Sequence, residues 1–132
     1  MRPPPREAKR GAPRALIGLL VAGLLVGTAT HVENIARAGV IPRPDLPLAC
    51  NLFWSALVLV DPLVALALLF RPRLGILLLL GLMAVDLTVN LVFLGVNSAV
   101  VMQMAYAILS LAALPVLRRR PAGSIRPESA QG

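Results

Sequence analysis

Asp61 and Asp86 each lie in the middle of an apolar stretch that is long enough to cross a bilayer. A carboxylate at the centre of a membrane-spanning helix costs at least about 2.5–3.5 kcal/mol, so such residues are rare and usually have a task. The two aspartates therefore predict an integral membrane protein with a structural or functional feature near the bilayer midplane.

The apolar residues are concentrated in long blocks. Residues 74–117 form a run of 44 residues in which Asp86 is the one charged side chain. As a single straight helix this run would extend about 66 Å, roughly twice the thickness of the hydrocarbon core. The chain must therefore reverse its direction, and we expect this reversal at residues 95–98, Gly-Val-Asn-Ser. The pattern predicts an all-α integral membrane bundle of four transmembrane helices at residues 14–34, 46–70, 74–94 and 98–117.

The positive charges are partitioned along the chain in a way that predicts its orientation. Eleven of the thirteen Lys and Arg residues lie in the two tails and in the connection between spans two and three: Arg2, Arg6, Lys9, Arg10, Arg14, Arg71, Arg73, Arg118, Arg119, Arg120 and Arg126. The positive-inside rule then predicts an antiparallel up-down-up-down bundle with both termini cytoplasmic, N-in and C-in. Because the net charge of +7 follows this topology, we expect a lipid bilayer as the partner and no nucleic acid.

The terminal segments differ in composition from the spans. Residues 1–13 and 119–132 are polar, rich in Pro and Arg, and predicted to be disordered basic cytoplasmic tails. Residues 15–26 also have the character of a signal-peptide core, but the apolar run is longer than usual, so we expect the first span to be retained. Twelve Arg against one Lys indicates a GC-rich bacterial genome, and hence the bacterial plasma (inner) membrane.

Polar residues in the spans lie at the midplane or toward the face predicted to be outside. Asp61 lies ten residues before Arg71, and Asp86 twelve residues after Leu74, which corresponds to depths of about 15 and 18 Å from the cytoplasmic face. Spacings of three or four residues place the polar residues on one stripe of each helix. The stripes are Thr28, His31 and Asn34; Asn51, Trp54 and Asp61; Asp86 and Asn90; and Gln103, Tyr106 and Ser110. They predict an outward-facing polar cavity floored by the two acids.

Nine residues are candidates for binding or proton-linked chemistry: His31, Asn34, Asn51, Trp54, Asp61, Asp86, Asn90, Gln103 and Tyr106. Each also has a structural interpretation. The acids could form interhelical hydrogen bonds, Asp61 with Tyr106 or Asp86 with Gln103. The asparagines could cap helices, and tryptophan is common at membrane interfaces. Gly23 and Gly27 form a small-x-x-x-small pair, which predicts a close helix approach.

Three functional hypotheses follow. The first is binding or transport of a small molecule such as a cation or an amphipath, with a proton link through the acids and a homodimer as the expected assembly. The second is a membrane enzyme that uses His31, Asp61 and Asp86 as acid and base on a lipid-like substrate. The third is a non-catalytic accessory or assembly subunit with a partner membrane protein. No spacing predicts a metal site or a cofactor, and we lean against the enzyme.

Overall fold

The computed structural model describes residues 8–118, with side chains from residue 13 onward. The chain forms four helices, α1 (Ala8–Ala38), α2 (Leu48–Phe70), α3 (Pro72–Leu94) and α4 (Ser98–Arg118), and no strand within that range. All four are long and apolar enough to cross a membrane. The shortest, α4, has 21 residues and is therefore about 32 Å long, as a bilayer core requires. The all-helical prediction is confirmed, and the four helices indicate a multi-pass membrane protein.

The helix boundaries differ from the predicted spans mainly at the N-terminus. α1 begins at Ala8, so residues 8–13, which the sequence predicts to be disordered, belong to the helix. Ala, Lys and Arg have high helix propensity, which favours the extension even though Gly11 and Pro13 lie in the same segment. α2 begins two residues later than predicted, because Pro47 takes the N-cap position. The predictions for residues 1–7 and 119–132 lie outside the described part of the chain.

Short connections join the helices. Gly39 and Gly95 both have positive φ, 77° and 68°, and each follows the last residue of a helix, where glycine ends a helix without steric cost. The side chain of Asn97 then accepts a hydrogen bond from the backbone N–H of Val100 and caps α4. Arg71 alone separates α2 from α3. The chain reversal predicted at residues 95–98 is confirmed.

We call the end of the bundle at Arg71 the turn end, and the end that carries residues 39–47 and 95–97 the loop end. The larger hydrophobic core lies toward the turn end and takes side chains from all four helices: Leu20, Leu24, Val64, Ala65, Leu68, Ile76, Leu79, Met83, Ala113 and Leu117. Near the turn Gly75 lies against the α2 backbone, where a β-carbon would stand 2.7 Å from the carbonyl carbon of Ala67.

A smaller core lies toward the loop end. It consists of Cys50, Trp54 and Leu57 of α2, and Val89 of α3 packs against it. Among the side chains that the structure describes, none from α1 or α4 contributes to this cluster. The helices α2 and α3 are therefore packed together at both ends, whereas α1 and α4 join the common core only toward the turn end.

The outer surface of the bundle is apolar. Large side chains such as Leu59, Phe70 and Val92 are 70%, 79% and 69% exposed. Soluble monomers rarely expose contiguous apolar surface on this scale. A surface of this kind is typical of a helical bundle that contacts lipid.

Candidate functional site

A cavity of about 840 Å³ occupies the space that α1 and α4 leave at the loop end. Its walls come from these two helices, and α2 and α3 form its back. It reaches from Arg43 and Asn97 in the connections down to Asp61 and Asp86. Eight of the nine candidate residues line it: His31, Asn34, Trp54, Asp61, Asp86, Asn90, Gln103 and Tyr106.

Four of these residues form a closed hydrogen-bond network across three helices. The indole N–H of Trp54 donates to Asn90 Oδ1 at 2.9 Å. Asn90 Nδ2 donates to Asp86 Oδ1 at 3.0 Å and to Gln103 Oε1 at 2.9 Å. Gln103 Nε2 donates to Asp86 Oδ2. The predicted hydrogen bond between Asp86 and Gln103 is therefore confirmed.

This network satisfies Asp86 within the chain. Both carboxylate oxygens accept a bond from an amide, and the side chain is 3% exposed. Asn90 is the centre of the network, because its carbonyl and its amide together contact Trp54, Asp86 and Gln103. The network ties α2, α3 and α4 together in the part of the bundle where α1 and α4 lie apart.

Asp61 is in a different situation. It is 5% exposed, lines the cavity, and makes no side-chain hydrogen bond with any of residues 13–118. Its Oδ2 lies over Gly27 of α1, where a β-carbon would be 2.9 Å from that oxygen. Asp61 therefore presents to the cavity a carboxyl group for which the described chain provides no donor.

Tyr106 does not form the predicted bond with Asp61. Its hydroxyl instead donates to the backbone carbonyl oxygen of Leu20 on α1. The reason is the absence of a side chain at Gly23, where a β-carbon would lie 2.8 Å from Cζ of the tyrosine. The ring can therefore lie against the α1 backbone, and it joins α1 to α4 at the deep end of the cavity.

His31 and Asn34 line the α1 side of the cavity, nearer the loop end. Within residues 13–118 no hydrogen bond joins His31 to either aspartate, so the structure does not form the histidine–aspartate pair that acid–base catalysis would use.

Two arginines stand at the mouth of the cavity, and each is paired. Arg37 forms an ion pair with Glu33, and Arg43 forms one with Asp45. The hydrogen bond from Arg43 lowers the pKa of the Asp45 carboxyl below its ordinary value. The mouth therefore carries two positive and two negative charges.

Asn51 is the one candidate that lies outside the cavity lining. It is fully buried, its Oδ1 accepts from the backbone N–H of Arg43 at 2.8 Å, and its Nδ2 donates to the Arg43 carbonyl oxygen at 2.8 Å. Asn51 thus holds the connection between α1 and α2 against the start of α2.

The role of Gly27 was not predicted. The four-residue spacing of Gly23 and Gly27 indicated close helix packing, and the structure shows that each glycine makes room for a polar side chain, Tyr106 and Asp61 respectively.

Comparison of the chain with protein-family models, with curated proteins and with solved structures finds no match in any of the three.

Proposed function

We propose that this protein binds a small molecule in the cavity between α1 and α4, or moves it across the membrane, and that Asp61 is the group that exchanges a proton for the ligand. The observation that carries the proposal is the contrast between the two acids. Asp86 is satisfied by two amide donors, whereas Asp61 faces the cavity with no hydrogen-bond partner among residues 13–118.

Physical chemistry limits what Asp61 can do. An ionised carboxylate inside the membrane needs a counter-charge or hydrogen-bond donors, because the alternative costs several kcal/mol. Mouth residues Arg37 and Arg43 already pair with other acids. Asp61 is therefore protonated, hydrated by water in the cavity, or paired with a cation from the cavity, and its protonated and cation-paired states exclude each other. Binding of a cation would then release a proton, which links the two events.

The test is a thermal-unfolding assay on the detergent-solubilised protein with a panel of tetramethylammonium, tetraethylammonium and benzyltrimethylammonium. A ligand that binds only the folded state, at a free concentration of 100 times its Kd, raises the free energy of unfolding by about 2.7 kcal/mol. We expect at least one cation to raise the unfolding temperature of the wild type, more at pH 8 than at pH 5, because protons compete for Asp61.

The matched variants are Asp61→Asn, which removes ionisation at the site, and Glu128→Gln, which makes the same change of charge outside residues 8–118. The cation effect should disappear in Asp61→Asn and persist in Glu128→Gln. Equal stabilisation of both variants by every cation would contradict the proposal.

The proposal includes an orientation. Helix ends at the turn end carry Arg14, Arg71, Arg73 and Arg118, which supports an up-down-up-down bundle with both termini in the bacterial cytoplasm. In a Cys50→Ala background, we expect a membrane-impermeant maleimide to label Val96→Cys in intact cells, because Val96 is 78% exposed in the α3–α4 connection. Ser124→Cys should be labelled only after lysis. The reverse pattern would refute the orientation.

An accessory or assembly role is the second candidate. The Asp86 network favours it, because four polar residues are used wholly to hold helices together. On this hypothesis Asp61→Asn retains function in cells, and the protein co-purifies with another membrane protein. The enzyme hypothesis has less support, because His31 is bonded to neither acid.

A further inference from the structure

We infer that the ligand is an amphipathic cation, with one positive headgroup and an apolar body, that reaches Asp61 from the bilayer through the gap between α1 and α4. This inference rests on the proposed function and names the ligand class and the route.

The size and lining of the cavity argue for a molecule of this kind. A volume of about 840 Å³ is in the range of sites that hold organic ligands of drug size. Apart from its polar stripes, the cavity is lined by apolar groups, among them Leu24, Met83 and Val100. A small hydrated ion would leave this apolar lining in contact with water. An apolar body would cover it, and a headgroup at the deep end would neutralise Asp61.

The cavity opens sideways as well as toward the loops. Val26 on α1 and Met102 on α4 both line it, and they are 68% and 71% exposed. A side chain that is both part of the lining and this exposed lies on the rim, on the surface that faces the hydrocarbon of the membrane. Toward the turn end the gap is closed by Tyr106, whose hydroxyl bonds to the carbonyl of Leu20. The gap between α1 and α4 therefore lies within the loop-end half of the bilayer.

The charges at the aqueous mouth favour the lateral route. Arg37 and Arg43 are balanced by Glu33 and Asp45, so the mouth has no net negative charge to concentrate a cation from water. The bilayer instead concentrates an amphipath, because transfer of each CH₂ group of its chain from water into the hydrocarbon is favourable.

Trp54 is the one tryptophan of the chain and lies in the cavity, so its fluorescence reports occupancy. The assay uses protein in nanodiscs and dodecyltrimethylammonium that carries bromine atoms on its chain as a quencher. Comparison probes are the equally brominated dodecyl alcohol, the equally brominated dodecyl sulfate, and tetramethylammonium as a competitor without a chain. We expect saturable quenching by the cationic probe, with an affinity about tenfold lower in Asp61→Asn, and only weak, linear quenching by the other two amphiphiles.

Two valine variants test the route. Val26→Phe narrows the gap between α1 and α4. Val92→Phe makes the same change at a position that is equally exposed, at 69%, but does not line the cavity. Val26→Phe should slow association of the cationic amphiphile, and Val92→Phe should leave it unchanged. Equal rates in the two variants would exclude lateral entrance.

The outcomes separate this inference from the proposed function. Suppose that tetramethylammonium binds the wild type but not Asp61→Asn, and that the cationic amphiphile binds the wild type no more tightly than tetramethylammonium does. The proposed function then stands, and the ligand class is wrong. If alcohol and sulfate probes saturate as the cation does, the ligand class is also wrong. If no cation distinguishes the wild type from Asp61→Asn, the proposed function fails together with the inference.

Discussion

The carboxyl group of Asp61 on α2 lies directly against Gly27 on α1, so close that a β-carbon at position 27 would stand 2.9 Å from Oδ2. Real β-carbons do not approach a neighbour this closely, so one of the two groups would have to move. Gly27 thus determines where the carboxyl of Asp61 lies relative to the cavity.

The first prediction is that Gly27→Ala displaces Asp61 and weakens ligand binding. Because the clashing oxygen is the end of a flexible side chain, the carboxyl group should shift, at less cost in stability than the about 1–3 kcal/mol of overpacking a rigid core. The measurement is cation-dependent stabilisation together with the free energy of unfolding in SDS titrations. Gly18→Ala is the matched control, because a β-carbon at Gly18 meets nothing within 4 Å. If both alanine variants behave alike, Gly27 has no positioning role.

The second prediction separates the two aspartates by stability. Asp86 accepts one amide donor on each oxygen, so Asp86→Asn turns an N–H₂ group toward one of these donors. Loss of that bond should cost about 1–2 kcal/mol in the free energy of unfolding. Asp61→Asn breaks no hydrogen bond among residues 13–118 and removes a charge that is costly in a membrane, so it should not lower the free energy of unfolding.

A double variant provides the control for this prediction. In Asp86→Asn/Gln103→Glu the donor and the acceptor exchange places, so every bond of the network can form again, with the charge moved to position 103. We expect stability to recover by more than half of the loss in Asp86→Asn. No recovery, or an equal loss in Asp61→Asn, would show that the network does not hold the helices together.

The third prediction concerns the contact between α1 and α4. Tyr106→Phe keeps the ring against Gly23 and removes the bond to the Leu20 carbonyl, so the loss in stability should be about 0.5–1.5 kcal/mol. Gly23→Ala forces the ring away and should cost more. SDS titration of both variants checks the order, and the reverse order would mean that the hydroxyl, not the ring contact, holds α1 to α4.

The sequence predicted much of the fold because its signals are local. Long apolar runs predicted the helices, and the spacing of Asp86 and Asn90 placed both residues on one face of α3. It could not show which polar residue would meet which, because the rotation of each helix depends on packing across the bundle. The hydroxyl of Tyr106 therefore donates its hydrogen bond to Leu20 rather than to Asp61. Asn51 shares a helix stripe with Trp54, yet it binds a loop whose course no periodicity reveals.

The last prediction tests this role of Asn51. Asn51→Ala removes the bonds to both backbone groups of Arg43, so the connection between α1 and α2 should detach from α2. We expect the amide hydrogen of Arg43 to exchange with solvent at least about tenfold faster, because its acceptor is gone. Ser55→Ala is a milder comparison variant, because Ser55 makes one exposed hydrogen bond to the same connection, to the carbonyl oxygen of Val40. Its effect on exchange should be smaller. If the cation affinity of Asn51→Ala falls as far as that of Asp61→Asn, Asn51 belongs to the binding site and not to the loop.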